Sequence, residues 1–126
     1  MKNIEGLYYS KEHEWLKVEG TTATVGVTDY AQAALGDIVF VELPEVDEDY
    51  EKDGTIGVVE SVKAASDIYI PVACTVTEVN EELEDAPELL NENAFANWIC
   101  KIEISDATEL EELMSCAEYV EYCTEQ

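Results

Sequence analysis

The sequence predicts a mainly β fold, a sandwich or barrel carrying short helices and a helical C-terminal tail. Three observations carry this. Short runs rich in β-branched and aromatic residues recur between turn signals through most of the chain. Near the end, Trp98, Cys100, Ile102 and Ile104 alternate with Lys101 and Glu103, the period of a half-buried strand. Beyond Asp106 the apolar residues take up helical spacing instead. A chain of 126 residues, 47% hydrophobic and 29% charged, suits one domain over residues 1–126 with a real core.

Taken in order, Leu7 to Tyr9 and Glu14 to Val18 read as strands, and Glu19-Gly20-Thr21 turns the chain into a third, Thr22 to Val27. Thr28 suits the N-cap of a short helix through Ala31, Ala33 and Leu35, with Gly36 placed to end it. Ile38 to Leu43 reads as a buried strand stopped by Pro44, and Glu45 to Asp53 as an acidic loop closed by Gly54. A hairpin at about 55–70 follows. After Pro71, residues Val72, Thr75-Val76-Thr77 and Val79 give another strand. Residues 80–97 form a long polar connection, with helical turns expected near Glu81 to Leu83 and Glu88 to Leu90. The last strand runs from Trp98 to Ile104. In the tail, about 106–124, Asp106 caps a turn carrying Leu110 and Leu113, and Ser115 caps a second carrying Tyr119, Val120 and Cys123. Such an amphipathic tail is expected to pack on the body, because helical stability comes mostly from burying the apolar face.

The net charge is -24, and all six basic residues are lysines. Nucleic-acid binding is excluded on this ground, since phosphate recognition needs a basic patch. An anionic membrane surface is disfavoured by the same repulsion, and no stretch approaches the length of a membrane span. The field favours basic patches on protein partners. Cys74, Cys100, Cys116 and Cys123 make no Cys-x-x-Cys motif and are expected to be reduced thiols; Cys116 and Cys123 would lie two turns apart on one helix, too far to bridge. The start, Met1 to Gly6, lacks both an apolar signal core and an arginine-rich transit pattern, so bacterial cytoplasm is the expected location.

The chemically suggestive residue is Lys63, at the tip of the hairpin in the run Glu60-Ser61-Val62-Lys63-Ala64-Ala65-Ser66-Asp67. Two strands turn here without Asn-Gly or Asp-Gly, and small neighbours leave the long side chain accessible. An amine on a flexible four-carbon stem at such a tip can be acylated, and the acyl group then swings clear of the backbone. The plain alternative is a solvated lysine that keeps a hairpin edge soluble. The other constellations are weaker. His13, the one histidine, has no identifiable nucleophile partner. Asp47-Glu48-Asp49 and Glu81-Glu82 lack the glycine and ligand spacing of a calcium loop, and no phosphate-binding glycine loop occurs. Independent turnover is not expected.

Glu60-Ser61-Val62-Lys63-Ala64 followed by Ser66-Asp67 resembles the lipoyl-attachment segment of glycine cleavage system H proteins. Lys11-Glu12-His13-Glu14-Trp15, Val25-Gly26-Val27-Thr28-Asp29-Tyr30-Ala31-Gln32, Leu35-Gly36-Asp37-Ile38-Val39, Val41-Glu42-Leu43-Pro44 and Glu78-Val79-Asn80 resemble further blocks of that family, in its order. The likeness spans about residues 7 to 123. Biotin-bearing domains resemble the chain less, since methionines usually flank their lysine where Val62 and Ala64 stand here. The chain departs from the family at Ala73-Cys74, at Asn93 to Trp98 and at Glu12, where a small hydroxyl residue is common.

The resemblance implies the barrel-sandwich hybrid of lipoyl and biotinyl carriers, with lipoate in amide linkage to Lys63. It implies that Glu60, Ser61, Val62, Ala64 and Asp67 form the recognition segment, and that Glu14 and Asp67 line a cleft whose carboxylates pair with the amine of the cargo. The implied role is a non-catalytic, monomeric carrier. It takes an aminomethyl group from a pyridoxal-phosphate-dependent glycine decarboxylase to a tetrahydrofolate-dependent aminomethyltransferase, is reoxidised by dihydrolipoyl dehydrogenase, and is modified by a lipoate-attaching enzyme. A different role for the same lysine is a relay that donates octanoyl or lipoyl groups to 2-oxoacid dehydrogenase subunits. A purely structural acidic module, in which Lys63 is never acylated, is the third reading.

Overall fold

A computed structural model of the chain describes residues 2–124, so Met1, Glu125 and Gln126 lie outside the described residues. Two antiparallel sheets form the body. One holds six strands in the order β1 (Tyr8–Tyr9), β2 (Glu14–Glu19), β3 (Thr22–Val27), β9 (Cys100–Ile104), β8 (Cys74–Val79) and β5 (Asp49–Tyr50). The other holds β4 (Ile38–Glu42), β6 (Gly54–Ser61) and β7 (Ala65–Ile70), with β6 central. This is the two-sheet architecture expected of the lipoyl-carrier hybrid.

Alternation along the strands decides what lies between the sheets. Cys100, Ile102 and Ile104 of β9 are buried while Glu103 is exposed, and Ala23 and Val25 of β3 point inward across from Ile102 and Cys100. Leu16, Val41, Val59, Ile68, Ile70 and Val76 join them in one cluster. Each such aliphatic side chain contributes roughly 1.5–3 kcal/mol when fully withdrawn from water.

Thr28 caps α1 (Asp29–Leu35) as the sequence suggests, its Oγ1 accepting from the Ala31 N–H at 3.2 Å. Gly36 ends the helix at φ 84°, a left-handed conformation that favours glycine. Two single helical turns, α2 (Glu82–Asp85) and α3 (Leu89–Glu92), bury Leu83 and Leu90 and interrupt the polar connection. Asp106 accepts from the Thr108 N–H at 3.0 Å and opens a 3-10 turn, Ala107–Glu112. Ser115 and Glu118 then form a reciprocal capping box at the start of α4 (Cys116–Thr124): Ser115 Oγ accepts from the Glu118 N–H at 3.2 Å, and Glu118 Oε1 from the Ser115 N–H at 2.9 Å.

A second, aromatic cluster fixes the tail. The ring of Tyr119 stacks on Tyr9 at 4.6 Å between centroids, and Tyr9, Trp15 and Tyr119 are all buried. Tyr119 also places its hydroxyl 2.7 Å from both Thr28 Oγ1 and His13 Nδ1, so the tail is tied to the cap of α1. His13 sits in the turn before β2 at φ 69°, stacked on Tyr30.

Several features differ from the sequence expectation. The strand β4, expected to be buried, exposes Val39 and Phe40, because only Ile38 and Val41 turn toward the core. The acidic stretch from Glu45 to Asp53 is not all loop: Asp49 and Tyr50 pair with Thr75 and Cys74 as an edge strand, held by backbone bonds that its charged side chains conceal from pattern reading. The final strand begins at Cys100 rather than Trp98. The Trp98 carbonyl is engaged by the Asn80 side chain at 2.9 Å instead of a ladder, and the ring lies beneath the Lys101 ammonium. Val120 is exposed rather than packed, because the inward stripe of α4 runs through Cys116, Tyr119 and Cys123.

Candidate functional site

The hairpin of β6 and β7 closes after the pair Glu60 and Ala65. Its turn is organised by Ser61. The Ser61 N–H donates to the Ala64 carbonyl at 2.8 Å, while Ser61 Oγ accepts from the N–H groups of Lys63 and Ala64, each at 3.1 Å. Such side-chain bonds replace the turn chemistry that an Asn-Gly pair would supply. The tip is also tied to the body, since the Val62 N–H donates to the Asp37 carbonyl at 3.0 Å and Ile38 pairs with Ser61.

Lys63 is exposed and, among the described residues, forms no ion pair. Its stem crosses the end of α1: a Cβ at position 36 would stand 3.4 Å from Lys63 Cε. Asn91 fastens this corner, donating to the carbonyls of Gly36 at 2.8 Å and of the Gln32 side chain at 2.9 Å, and accepting from the Ile38 N–H at 2.8 Å. The large apolar side chains of Val39, Phe40 and Val62 are exposed on the elements beside the lysine, Val62 at 68%. The predicted segment residues Glu60, Ser61, Val62, Ala64 and Asp67 therefore all sit on one hairpin end.

A cavity of about 520 Å³ lies at the end of β7 remote from the lysine turn, between β2, the β5–β6 turn and the 3-10 turn. Ser10, Glu12, Glu14, Lys52, Tyr69 and Glu112 are among its lining residues. Tyr69 lies four residues beyond Ala65, about 13 Å along the strand leaving the lysine turn. Glu14, only 2% exposed, forms the floor. Its Oε1 accepts from Ser10 Oγ at 2.5 Å and its Oε2 from the Tyr69 N–H at 3.3 Å. Burial pushes the Glu14 carboxyl up to about 7, against those two hydrogen bonds and with the negative charges of Glu12 and Asp53 adding to the rise. Near neutrality this group is thus divided between carboxyl and carboxylate, and a cation beside it would draw it to the charged form.

Asp67 does not line this cavity; it is exposed on β7, paired with Val58. Of the two carboxylates singled out from the sequence, the structure places Glu14 alone in the cavity wall. Sequence reading passed over Ser10, Lys52, Tyr69, Asn91 and Glu112. The signal available was the partial burial implied for a polar residue beside Trp15 in Ser10 to Trp15; the others are brought in by chain crossings with no local mark.

No cluster of metal-ligating side chains occurs among the described residues. Cys74, Cys100, Cys116 and Cys123 are free thiols, the first two buried and the last two half-buried. Burial pushes the Cys74 thiol up to about 11 and raises that of Cys100 as well, so neither is a ready nucleophile. No helix among the described residues is long and apolar enough to cross a membrane.

A sequence model of the glycine cleavage H-protein matches residues 7–126. A glycine cleavage system H protein of Alkaliphilus oremlandii is 61% identical over 126 residues, covering 100% of this chain and 99% of its own. One from Syntrophomonas wolfei is 53% identical over 126 residues, covering 100% of this chain and 97% of its own. The crystal structure of a glycine cleavage system H protein from Mycobacterium marinum superposes with a TM-score of 0.89 at 31% identity, over 97% of this chain and 99% of that one.

Proposed function

This chain belongs to the glycine cleavage H-protein family, and from that premise we propose that it serves the glycine cleavage system as a carrier whose lipoyl group is held in amide linkage by Lys63. The observation that carries the assignment to Lys63 is the build of the hairpin tip. Its backbone is fixed by Ser61 and Asp37, while the Lys63 amine is exposed among the small residues Ala64, Ala65 and Ser66.

The residues present fit such a group. A long arm on Lys63 leaves from the end of β7, and the cavity opens further along the same strand. When attached, the lipoyl group supplies a cyclic disulfide that takes up and gives off a one-carbon amine fragment, leaving position and shielding to the protein. Glu14 provides a buried carboxylate to pair with the protonated amine of the cargo, Ser10 and the Tyr69 N–H hold that carboxylate in place, and the surrounding walls keep bulk water from it. Asp67, Glu60, Ser61, Val62 and Ala64 present the surface that a lipoate-attaching enzyme reads.

Membership of a carrier family implies partners. A pyridoxal-phosphate-dependent glycine decarboxylase, an aminomethyltransferase and dihydrolipoyl dehydrogenase are proposed to meet the same lysine in turn, in the bacterial cytoplasm, with the charge of -24 steering the chain toward their basic surfaces. The test is reconstitution with glycine decarboxylase. Lipoylated protein supports glycine-dependent carbon dioxide release and the Lys63→Arg variant does not; equal release with both would overturn the assignment.

A further inference from the structure

The cavity described above has a second feature that the carrier role does not itself require. Lys52 and Glu112 both line it, and their side chains form an ion pair. They are sixty positions apart and belong to different walls: Lys52 to the turn between β5 and β6, Glu112 to the last residue of the 3-10 turn. Each wall is separately anchored. The Asp53 N–H donates to the Ile70 carbonyl at 2.7 Å and the Gly54 N–H to the Glu51 carbonyl at 2.9 Å, while Glu109 Oε1 accepts from the Ala73 N–H at 2.8 Å. The bridging side chains are therefore the adjustable part of an otherwise fixed frame.

Exposure grades across the cavity. The side chains of Lys52 and Glu112 are 33% and 61% exposed, against 2% for Glu14 on the floor. The pair stands at the mouth and the carboxylate at the bottom. We propose that the Lys52–Glu112 ion pair is a strap across the mouth of the cavity, which opens and closes to control the access of water and cargo to Glu14. Lys52 and Glu112 are positioning residues in this scheme: neither bears the arm, and both act by keeping the cavity closed over what Glu14 holds. The hydrogen bond and charge of Glu112 raise the affinity of the Lys52 ammonium for its proton, and the negative charges of Asp53 and Glu109 add to this, keeping it charged. A pair so open to solvent separates readily and is weakened by salt. This suits a strap that must open each time the carrier meets an enzyme. The strap rests on the reading of the cavity as the dock of the arm, but its opening is measurable without the arm.

The experiment uses unmodified full-length protein and follows amide exchange at Tyr69, whose N–H points at Glu14 inside the cavity. Lys52→Met and Glu112→Gln are each expected to raise Tyr69 exchange several-fold, whereas Lys52→Arg, which keeps the charge, leaves it slow. In the wild type, raising salt so that the screening length falls from about 30 Å to about 3 Å should speed Tyr69 while core amides such as Val25 and Ile102 stay unchanged or slow, since salt also relieves self-repulsion. Tyr69 exchange unchanged in Lys52→Met, or equally fast in Lys52→Arg and Lys52→Met, would overturn the strap. In lipoylated protein, Lys52→Met should also lose its cargo faster. Faster Tyr69 exchange with unaltered cargo loss would instead remove the dock reading, which keeps the two failures apart.

Discussion

Ser61 Oγ accepts the backbone N–H of Lys63 at 3.1 Å, so the residue with the exposed amine is fixed at its backbone and free at its side chain. The same oxygen takes the Ala64 N–H, and the Ser61 hydroxyl reaches the Ala64 carbonyl at 3.2 Å. An enzyme that acylates Lys63, as proposed, would meet a turn already in one shape and would not have to order it on binding. Ser61→Ala removes these bonds at an exposed site, where each neutral hydrogen bond is worth about 0.5–1.5 kcal/mol. The expected result is a several-fold fall in kcat/KM for lipoate attachment with little change in the melting temperature. Attachment at the wild-type rate would show that the turn holds its shape without Ser61.

Glu14 makes stability depend on pH in a defined direction. Its carboxyl is raised from 4.5 to about 7, chiefly by burial, so between those values the folded chain holds a proton that the unfolded chain has released. The stability due to this proton is complete below about 4.5 and is lost as pH rises through about 7. The full span corresponds to about 3 kcal/mol. Denaturant unfolding of wild type and Glu14→Gln at pH 4.5 and pH 8 checks this: the wild type should lose ground against the variant by an amount of that order. Parallel pH curves for the two proteins would contradict it.

Trp15 and Gly26 face each other across β2 and β3, and the indole occupies the place of a side chain at position 26: a Cβ there would come within 2.6 Å of the ring. The ring is 3% exposed and its Nε1 donates to the Ala94 carbonyl at 3.4 Å, so it has little room to withdraw. Gly26→Ala is expected to destabilise the fold by about 1–3 kcal/mol, as overpacking of a tight interior does. A melting temperature equal to that of the wild type would show that the indole can shift.

Much of the fold was legible because local rules and tertiary packing agree. The cap at Thr28, the capping box from Ser115 to Glu118 and the alternation from Cys100 to Ile104 each state their conformation within a few residues. Asp49 and Tyr50 do not, since an edge strand held by two backbone pairs carries no periodicity. The same contrast holds at the site. Lys63 could be singled out because its turn is local. The cavity could not be drawn, because Glu14, Lys52, Tyr69 and Glu112 come from four separate segments and meet only after the sheets have packed. Asp67 is exposed on β7, paired with Val58, and is absent from the lining of the cavity that holds Glu14, a placement that depends on how β7 packs and has no local mark in the sequence.

The proposal that Lys63 bears the arm is tested by intact mass with peptide mapping after incubation with a lipoate ligase, lipoate and ATP. A single lipoyl adduct confined to Lys63 and absent from Lys63→Arg is the predicted result. No adduct under conditions that modify a control carrier, or an adduct that persists in Lys63→Arg, would contradict it.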